Sequence, residues 1–433
     1  MTNPELVSAD LNSAIIRTDK NSTFGNRGLA GRNRKVSRKD IIRFLISMEG
    51  GSLNKELHRA GLGITASAFV QRRAQINSEL LSDILDVFNE RAANTQLYRG
   101  YRILAVDGTA VNMPRDPDAP SFVCNASAPA GYNQMHVTPL YDVLTKRFHS
   151  CVIQPQPKQD EIGALSYLLA AYDFDEPTLI VGDRGFSSYN LFATILEKPK
   201  TDFLIRVKQG QGAMKCLENL PMRELDRDVS FTITTTQTNA DKAQGFIYIQ
   251  THRDKNRTYS ANTRNGRWEH PSPYPMTLRV VRIRLNTGEY ETLVTSLPRS
   301  CTAAQIRELY HSRWGIETAF RELKYTYGLT NIHGRSEEFV KQEIYASMIM
   351  ANVCSRIVNE VVIQQRREAA HLYKVNQKMA VYLCREFLRT PGANGAKLMR
   401  DIAKYVEPVR PGRQDQRNLR AKSFEGFVYR VAA

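Results

Sequence analysis

The order of predicted strands and helices between residues 101 and 207 constrains the fold more than any other feature of the chain. β-rich and apolar runs alternate there with helical segments in the order strand, strand, strand, helix, strand, helix, strand. In chain order these segments are Tyr101–Val106, His136–Asp142, Arg147–Ile153, Glu161–Tyr172, Thr178–Val181, Ser187–Leu196 and Asp202–Val207. This order predicts an α/β fold with a mixed sheet flanked by helices.

The sequence before this core divides into two segments of different character. Residues 1–37 mix polar, glycine and basic residues and predict a flexible basic arm. Residues 38–98 predict short helices separated by glycine turns, a layout typical of a DNA-binding helix-turn-helix and equally of a small helical bundle. Arg72 and Arg73 lie on one of these helices. They are candidate DNA contacts, with a surface salt bridge as the alternative.

The sequence after residue 207 leaves the core pattern and then returns to it. Residues 208–298 are rich in threonine and predict an inserted all-β subdomain. Its extended runs are Val229–Thr235, Phe246–His252, Met276–Leu285 and Glu289–Leu297. The α/β core is therefore expected to comprise residues 99–207 and 299–370. Residues 371–433 are expected to form a C-terminal helical region with a basic tail that begins at Arg410.

Charge and composition restrict the partners. The chain has 60 Lys and Arg against 44 Asp and Glu, a net charge of +16 that suits a polyanion such as nucleic acid, although solubility alone also explains it. The six cysteines and eight histidines show no metal-ligand spacing, so any metal is expected on carboxylates. No apolar run reaches the ~18–20 residues of a membrane span, and the first residues lack the layout of a signal peptide.

Two aspartates follow predicted buried strands. Asp107 comes directly after the first strand, and Asp183 follows the strand Thr178–Val181 by one glycine. A carboxylate at the carboxyl end of a strand lies where the sheet meets solvent, and two such oxygen donors suit Mg²⁺ or Mn²⁺. Because Asp-Gly is also a turn signature, the turn interpretation is favoured for either aspartate taken singly. Their shared context in one predicted sheet favours a site.

A polar stripe follows one predicted helix near residues 302–326. At ~100° per residue, five of its side chains fall within an arc of roughly 80°. They are Tyr310, Arg313, Glu317, Arg321 and Lys324. One acid among three bases and a phenol suits a phosphate site, in which Glu317 holds a metal and the bases neutralise phosphate oxygens. A solvated face of i,i+4 salt bridges explains the same spacing, so the helix alone does not decide.

The pattern Tyr310-x2-Arg313-x3-Glu317-x6-Lys324 resembles the signature of bacterial insertion-sequence DDE transposases of the Tyr-Arg-Glu-Lys (YREK) group, family four of that classification. Asp107 in AVDGT and Asp183 in VGDRGF match the family in form. The resemblance covers roughly residues 38–360. It implies a ribonuclease-H-like catalytic core with a β subdomain inserted before the glutamate helix, and an N-terminal helical DNA-binding domain.

The resemblance also implies an activity. Asp107, Asp183 and Glu317 would be catalytic and would hold two Mg²⁺ or Mn²⁺ ions for phosphoryl transfer at DNA ends. A cut-and-paste enzyme of this type binds the inverted-repeat ends of the element, cleaves them through a hairpin and joins the 3′-OH ends to target DNA. The implied partners are double-stranded DNA and a second protomer in the synaptic complex, with no membrane. The implied location is the prokaryotic cytoplasm, in association with the nucleoid.

Further residues are candidate DNA contacts under this interpretation. Tyr310, Arg313 and Lys324 would grip the terminal phosphates and a flipped base, with Arg321 beside them. Arg184 follows Asp183 and is either a phosphate contact or a turn residue. Trp268 is either a stacking residue for an extruded base or a hydrophobic plug of the β subdomain. Trp314, His136 and His311 are expected to be structural. Without metal, the three carboxylates are expected to repel one another and loosen the site.

The alternatives are a ribonuclease-H-like metal nuclease that does not join strands, and a domesticated DNA-binding protein that no longer cleaves. The presence of all three acids argues against the second.

Overall fold

Eleven strands form one mixed sheet at the centre of the chain. The computed structural model describes residues 1–21, 36–92, 96–210, 212–249, 268–365 and 371–409. The strands are β1 (Arg102–Val106), β2 (Thr109–Met113), β3 (Phe122–Asn125), β4 (Ala128–Asp142), β5 (Arg147–Pro155), β6 (Thr178–Gly182), β7 (Thr201–Val207), β8 (Leu225–Thr234), β9 (Ile247–Tyr248), β10 (Tyr274–Arg284), β11 (Tyr290–Thr295), β12 (Tyr373–Val375) and β13 (Val406–Pro408). The last two pair only with each other.

Helices cover both faces of this sheet. They are α1 (Asn3–Asn21), α2 (Arg38–Ser47), α3 (Leu53–Arg59), α4 (Ala66–Arg73), α5 (Ser78–Glu90), α6 (Glu161–Ala171), α7 (Tyr189–Glu197), α8 (Asn239–Ala243), α9 (Ala303–Ser312), α10 (Trp314–Tyr325), α11 (Glu337–Val358), α12 (Gln377–Arg389) and α13 (Gly395–Lys404). The mixed sheet with flanking helices that the sequence predicts is confirmed.

The strand order places the predicted core strands side by side as β5–β4–β1–β6–β7. β4 is antiparallel to both β5 and β1, whereas β1, β6 and β7 run parallel. Alternate residues of β1 face opposite sides of the sheet. Leu104 and Val106 pack with α6 and α7, while Ala105 packs with the helices on the other face. Burial on both faces explains why the parallel strands are almost entirely apolar.

The predicted strands of residues 208–298 do not form a separate subdomain. β11 pairs with β7, β10 with β11, and β8 with β10, so they extend the central sheet outward from the core. The prediction of extended structure is confirmed for β8, β10 and β11, but the separate domain is wrong. The reason is that the open edge of β7 offers backbone groups that an adjacent hairpin can pair.

The flexible arm predicted for residues 1–37 is wrong for its first part. Residues 3–21 form α1, which buries Val7, Leu11, Ala14 and Ile15 against its neighbours. These four residues recur at helical spacing, so a narrow apolar stripe is enough to anchor a segment whose overall composition is polar. The basic residues of 22–35, and the tail from Arg410, lie outside the described residues.

Helices α2 to α5 do form as expected, and the capping box of Ser37 and Asp40 begins α2. They are not set apart from the core. Their apolar side chains belong to one cluster with α1, α11 and one face of the sheet, so the arrangement is a helical layer on that face. Within the described ranges, no helix is both long enough and apolar enough to cross a membrane.

Candidate active site

The two aspartates lie next to each other at the carboxyl edge of the sheet. β1 and β6 are parallel, with Val106 opposite Gly182, so Asp107 and Asp183 both follow the last paired position. Each accepts a backbone N–H in its own turn, Asp107 Oδ1 from Gly108 at 2.9 Å and Asp183 Oδ1 from Gly185 at 2.7 Å. The turns orient both carboxylates, so the turn and site interpretations of these residues are compatible.

The predicted helix near residues 302–326 is two helices joined at Arg313. Arg313 ends α9 and begins α10 with helical dihedrals, φ −51° and ψ −32°, so the polar stripe continues across the junction. Ile316, Phe320 and Leu323 pack into the core on the inner side of α10. This packing holds the stripe against the carboxyl edge of the sheet.

Arg313 connects the stripe to the sheet. Its Nη1 donates to Asp107 Oδ2 at 3.2 Å and its Nη2 donates to Glu317 Oε1 at 2.7 Å. Asp107 and Arg313 are 206 positions apart in the chain. The side chain of Arg313 is only 9% exposed, so its guanidinium is largely shielded from water. The structure thus brings together residues that the sequence placed on different elements.

Burial raises the pKa of Asp107 to about 6. The neighbouring charges of Asp183 and Glu161 also raise the pKa of Asp107, whereas the Gly108 N–H and the Arg313 guanidinium lower it. Desolvation and like charges therefore outweigh the single cationic partner. The edge carries more negative charge than Arg313 neutralises, so a further cation would be bound favourably there.

The donor chemistry of this edge fits a hard divalent cation, since Asp107, Asp183 and Glu317 supply carboxylate oxygens. Among the described residues, however, no three His, Cys, Asp or Glu side chains already form a group that could hold a metal. The Arg313 guanidinium lies between Asp107 and Glu317 and donates a hydrogen bond to each carboxylate. Arg313 links Asp107 to Glu317 through two ion pairs.

The other members of the stripe differ in exposure. Tyr310 is 6% exposed and packs with Leu309 against the sheet, and burial raises the pKa of its phenol. The Arg313 guanidinium lies 5.9 Å from the Tyr310 ring centroid, within range of a cation–π contact. Arg321 is exposed and Lys324 is half-buried. Tyr310 therefore lies beneath Arg313, and Arg321 faces solvent.

Arg184 and Trp268 lie in different settings. Arg184 is exposed in the turn directly after Asp183, and its carbonyl accepts a hydrogen bond from the Ser187 hydroxyl. Trp268 is half-buried, and its indole N–H donates to the Pro271 carbonyl at 3.2 Å. Its ring packs edge-to-face on Tyr274 at 5.3 Å between centroids. These contacts give Trp268 a packing role at the edge of the extended sheet.

Arg73 is not a DNA contact, contrary to the expectation. It is 2% exposed, and its Nη1 pairs with Glu343 at 2.8 Å while its Nε donates to Gln342 at 2.7 Å. A fully buried and paired guanidinium cannot reach a phosphate. Arg72 is half-buried and donates to the Val36 carbonyl. The periodicity of α4 could not reveal which of the two arginines faces α11.

Two features of the site were not predicted from the sequence. Trp314 is 47% exposed rather than packed, and the Arg313 guanidinium lies 5.7 Å from its ring centroid. Glu161, the first residue of α6, has a carboxylate oxygen 3.0 Å from His136 Nε2, directly beside Gly108. The predicted order of strands and helices could have placed Glu161 near Asp107. β5 runs parallel to β1, so the helix that follows β5 starts at the edge where Asp107 lies.

Fold and site together define the class of protein: an α/β chain with carboxylates gathered at one edge of its sheet. The chain belongs to the transposase DDE domain family, whose profile matches residues 98–353. It is thus a DNA transposase of a family whose members are nuclease- and transferase-type enzymes and generally use divalent metal ions.

Other comparisons add little. No curated protein matches the chain. Among solved structures, the chain is similar to the piggyBac transposase in a synaptic complex with hairpin DNA. That likeness has 12% sequence identity and a TM-score of 0.45, and it covers 95% of this chain and 87% of that chain.

Proposed function

We propose that this chain is an insertion-sequence transposase of the YREK group. It binds the inverted-repeat ends of its element, cleaves them by metal-dependent phosphodiester hydrolysis and transesterification through a hairpin, and joins the 3′-OH ends to target DNA. The observation that carries the proposal is the Arg313 bridge, because it links Glu317 of the motif helix to Asp107, which directly follows β1 and lies next to Asp183.

The strand order supports a ribonuclease-H-like core. Three antiparallel strands, β5, β4 and β1, continue into the parallel strands β6 and β7, with the acids at one edge. In this proposal, residues 99–207 and 299–370 supply the catalytic core. The helices of 38–98 contribute to DNA binding, although they are packed on that core rather than separate from it.

The roles of the site residues follow from their places. Two Mg²⁺ or Mn²⁺ ions, held by Asp107, Asp183 and Glu317, would stabilise charge on the attacking and leaving oxygens. Arg313 neutralises the carboxylates before DNA binds and presents its guanidinium to a phosphate when DNA enters. The ring of Tyr310 would hold that guanidinium in place through a cation–π contact.

The surrounding residues hold and orient the DNA. Arg321, Lys324 and Arg184 add positive charge along the path of the backbone. Trp268 offers an aromatic face at the outer part of the sheet, and Arg72 lies on α4. Synapsis of two ends requires a homodimer bound to both. We assign the protein to the prokaryotic nucleoid, where its DNA substrate lies.

The test is cleavage of a DNA duplex that carries the element's own terminal repeat, taken from the sequence flanking its coding region. Asp107→Asn, Asp183→Asn and Glu317→Gln should each abolish Mn²⁺-dependent cleavage and retain DNA binding. Asp401→Asn is the control, since Asp401 pairs with Lys397 and Lys404 on α13. Cleavage retained in any of the three site variants would remove that residue from the mechanism.

A second assay with a pre-cut end separates the proposed transposase from the alternatives. Joining of the 3′-OH end to a target plasmid is expected. Hydrolysis without joining would instead indicate a metal nuclease on the same scaffold. Specific binding with no metal-dependent activity would indicate a DNA-binding protein that has lost catalysis.

A further inference from the structure

We propose that Glu161 and His136 form a positioning pair that holds the Asp107–Gly108 turn and strengthens cation binding at Asp107. This inference rests on the proposed function, because it assigns to the pair a role in the metal site of the transposase. Neither residue belongs to the motif that the sequence presents, and the two come from different elements, α6 and β4.

The pair contacts the backbone of the turn directly. His136 Nε2 lies 3.0 Å from Glu161 Oε1, and the side chain of His136 is buried. A Cβ atom placed on Gly108 would lie 2.0 Å from Glu161 Oε1 and 2.5 Å from His136 Nε2. Such distances are far inside van der Waals contact. Any side chain at position 108 would have to displace the Glu161 carboxylate and the His136 imidazole, because they occupy its space.

This contact reaches Asp107 through one hydrogen bond. The Gly108 N–H donates to Asp107 Oδ1 at 2.9 Å, while Arg313 donates to Oδ2 at 3.2 Å. Both oxygens of Asp107 are therefore held, one from the turn and one from the motif helix. Because the pair restricts Gly108, it also restricts the direction of the Gly108 N–H and the orientation of the Asp107 carboxylate.

Glu161 also contributes charge. The side chain of Glu161 is 21% exposed. Its negative charge raises the pKa of Asp107, as does the charge of Asp183. The opposing groups at Asp107 are the Gly108 N–H and the Arg313 guanidinium. Glu161 accepts from His136 Nε2, so the imidazole fixes the carboxylate at the turn rather than in solvent. A fixed negative charge at this position favours a divalent cation at Asp107.

The test is a Mn²⁺ titration of the full-length protein, with free Mn²⁺ followed by electron paramagnetic resonance. Glu161→Gln keeps the size and a hydrogen-bonding group but removes the charge. It is expected to weaken Mn²⁺ binding about tenfold, the usual scale for a partner just outside the ligands. DNA cleavage at saturating Mn²⁺ should return close to the wild-type rate. A merely structural role would not shift the metal dependence in this way.

Glu197→Gln is the matched control. Glu197 pairs with His270 at 3.0 Å, the same chemistry, but it lies at the end of α7, which returns to the opposite edge of the sheet. This variant should bind Mn²⁺ as the wild type does. Gly108→Ala tests the contact independently, since the new methyl must displace the pair or the turn. It is expected to weaken Mn²⁺ binding and to lower the cleavage rate even at saturating Mn²⁺.

The outcomes are distinguishable. Wild-type Mn²⁺ affinity in folded Glu161→Gln, with Asp107→Asn inactive, would overturn this inference and leave the proposed function standing. Cleavage retained by Asp107→Asn would overturn the proposed function itself. If Glu161→Gln does not fold, as judged by circular dichroism, His136→Gln replaces it. Unchanged Mn²⁺ affinity in that variant would equally overturn the inference.

Discussion

Arg73 and Arg313 both join distant parts of the chain through carboxylates, but one network is complete and the other is not. All three nitrogens of the Arg73 guanidinium donate, Nε to Gln342, Nη1 to Glu343 and Nη2 to the Phe339 carbonyl. These bonds join α4 to α11 inside the core. A buried guanidinium with every nitrogen satisfied is a structural element.

Arg313 is buried to a similar degree but is not fully satisfied. Its Nη1 and Nη2 donate to Asp107 and Glu317, whereas its buried Nε has no hydrogen-bond partner among the described residues. Both of its carboxylates are partly exposed, 24% for Asp107 and 33% for Glu317. The carboxylates of this bridge therefore keep access to solvent, whereas the Glu343 carboxylate of the core network does not.

The carboxylates of the two networks show the same contrast. Burial opposes ionisation of Glu343, but hydrogen bonds from His333 and the charge of Arg73 prevail and lower its pKa to about 2. For Asp107 burial prevails, and its pKa is raised to about 6. The core network therefore stabilises the ionised form of Glu343, whereas burial and neighbouring carboxylates destabilise the ionised form of Asp107. Perturbed pKa values of this kind are typical of functional sites.

Removal of Arg73 should have the largest effect on stability. Arg73→Ala leaves Glu343 buried without its cation, so the free energy of unfolding should fall by about 3–5 kcal/mol. Urea denaturation followed by circular dichroism measures this. The adjacent Arg72→Ala loses only a partly exposed hydrogen bond to a carbonyl and should cost about 1 kcal/mol. Equal losses for the two variants would contradict the assignment of Arg73 as the buried partner.

The pH dependence of stability should differ in sign between the two carboxylates. The pKa of Asp107 rises from 3.8 to about 6 on folding, so the native state binds more protons than the unfolded state between those values. Stability therefore falls as pH rises through this window, by about 3 kcal/mol from this group. In EDTA, Asp107→Asn should be more stable than wild type at pH 7 and equal to it below pH ~4.

Glu343 should behave in the opposite way. Its pKa is lowered on folding, so its stabilisation is present above pH ~4.5 and is lost as pH falls towards ~2. Denaturation curves measured in EDTA at several pH values separate the two contributions. An Asp107→Asn variant that is less stable than wild type at pH 7 would show that Asp107 is not destabilised by its surroundings.

Arg321 should give the smallest effect. It lies on the same stripe as Arg313 but is exposed. Arg321→Gln should leave the free energy of unfolding unchanged and weaken DNA binding uniformly. The slope of log affinity against log salt concentration should decrease by about one, as for one lost phosphate contact. Fluorescence anisotropy at several salt concentrations tests this, and an unchanged slope would place Arg321 away from the DNA.

The local sequence signals predicted most of the core correctly. Apolar β-branched runs correctly predicted β1, β6 and β7, and capping residues correctly predicted the starts of α2 and α4. The short strands β2 and β3, which both pair with β4, were not predicted. α1 was missed because its apolar stripe is narrow. The pairing of β11 with β7 and of β8 with β10 joins segments that are far apart in the chain, so no local window of sequence contains it.

The sequence by itself determined which residue types are available for chemistry and how they are spaced: Asp107 and Asp183 after strands, and Arg313 and Glu317 four residues apart on a helix. Only the tertiary structure decided which arginine is buried against Glu343 and which one bridges Asp107. It also brought Glu161 and His136 onto Gly108. The physical reason is that burial and pairing depend on contacts across hundreds of residues, whereas periodicity reports only the face on which a side chain lies.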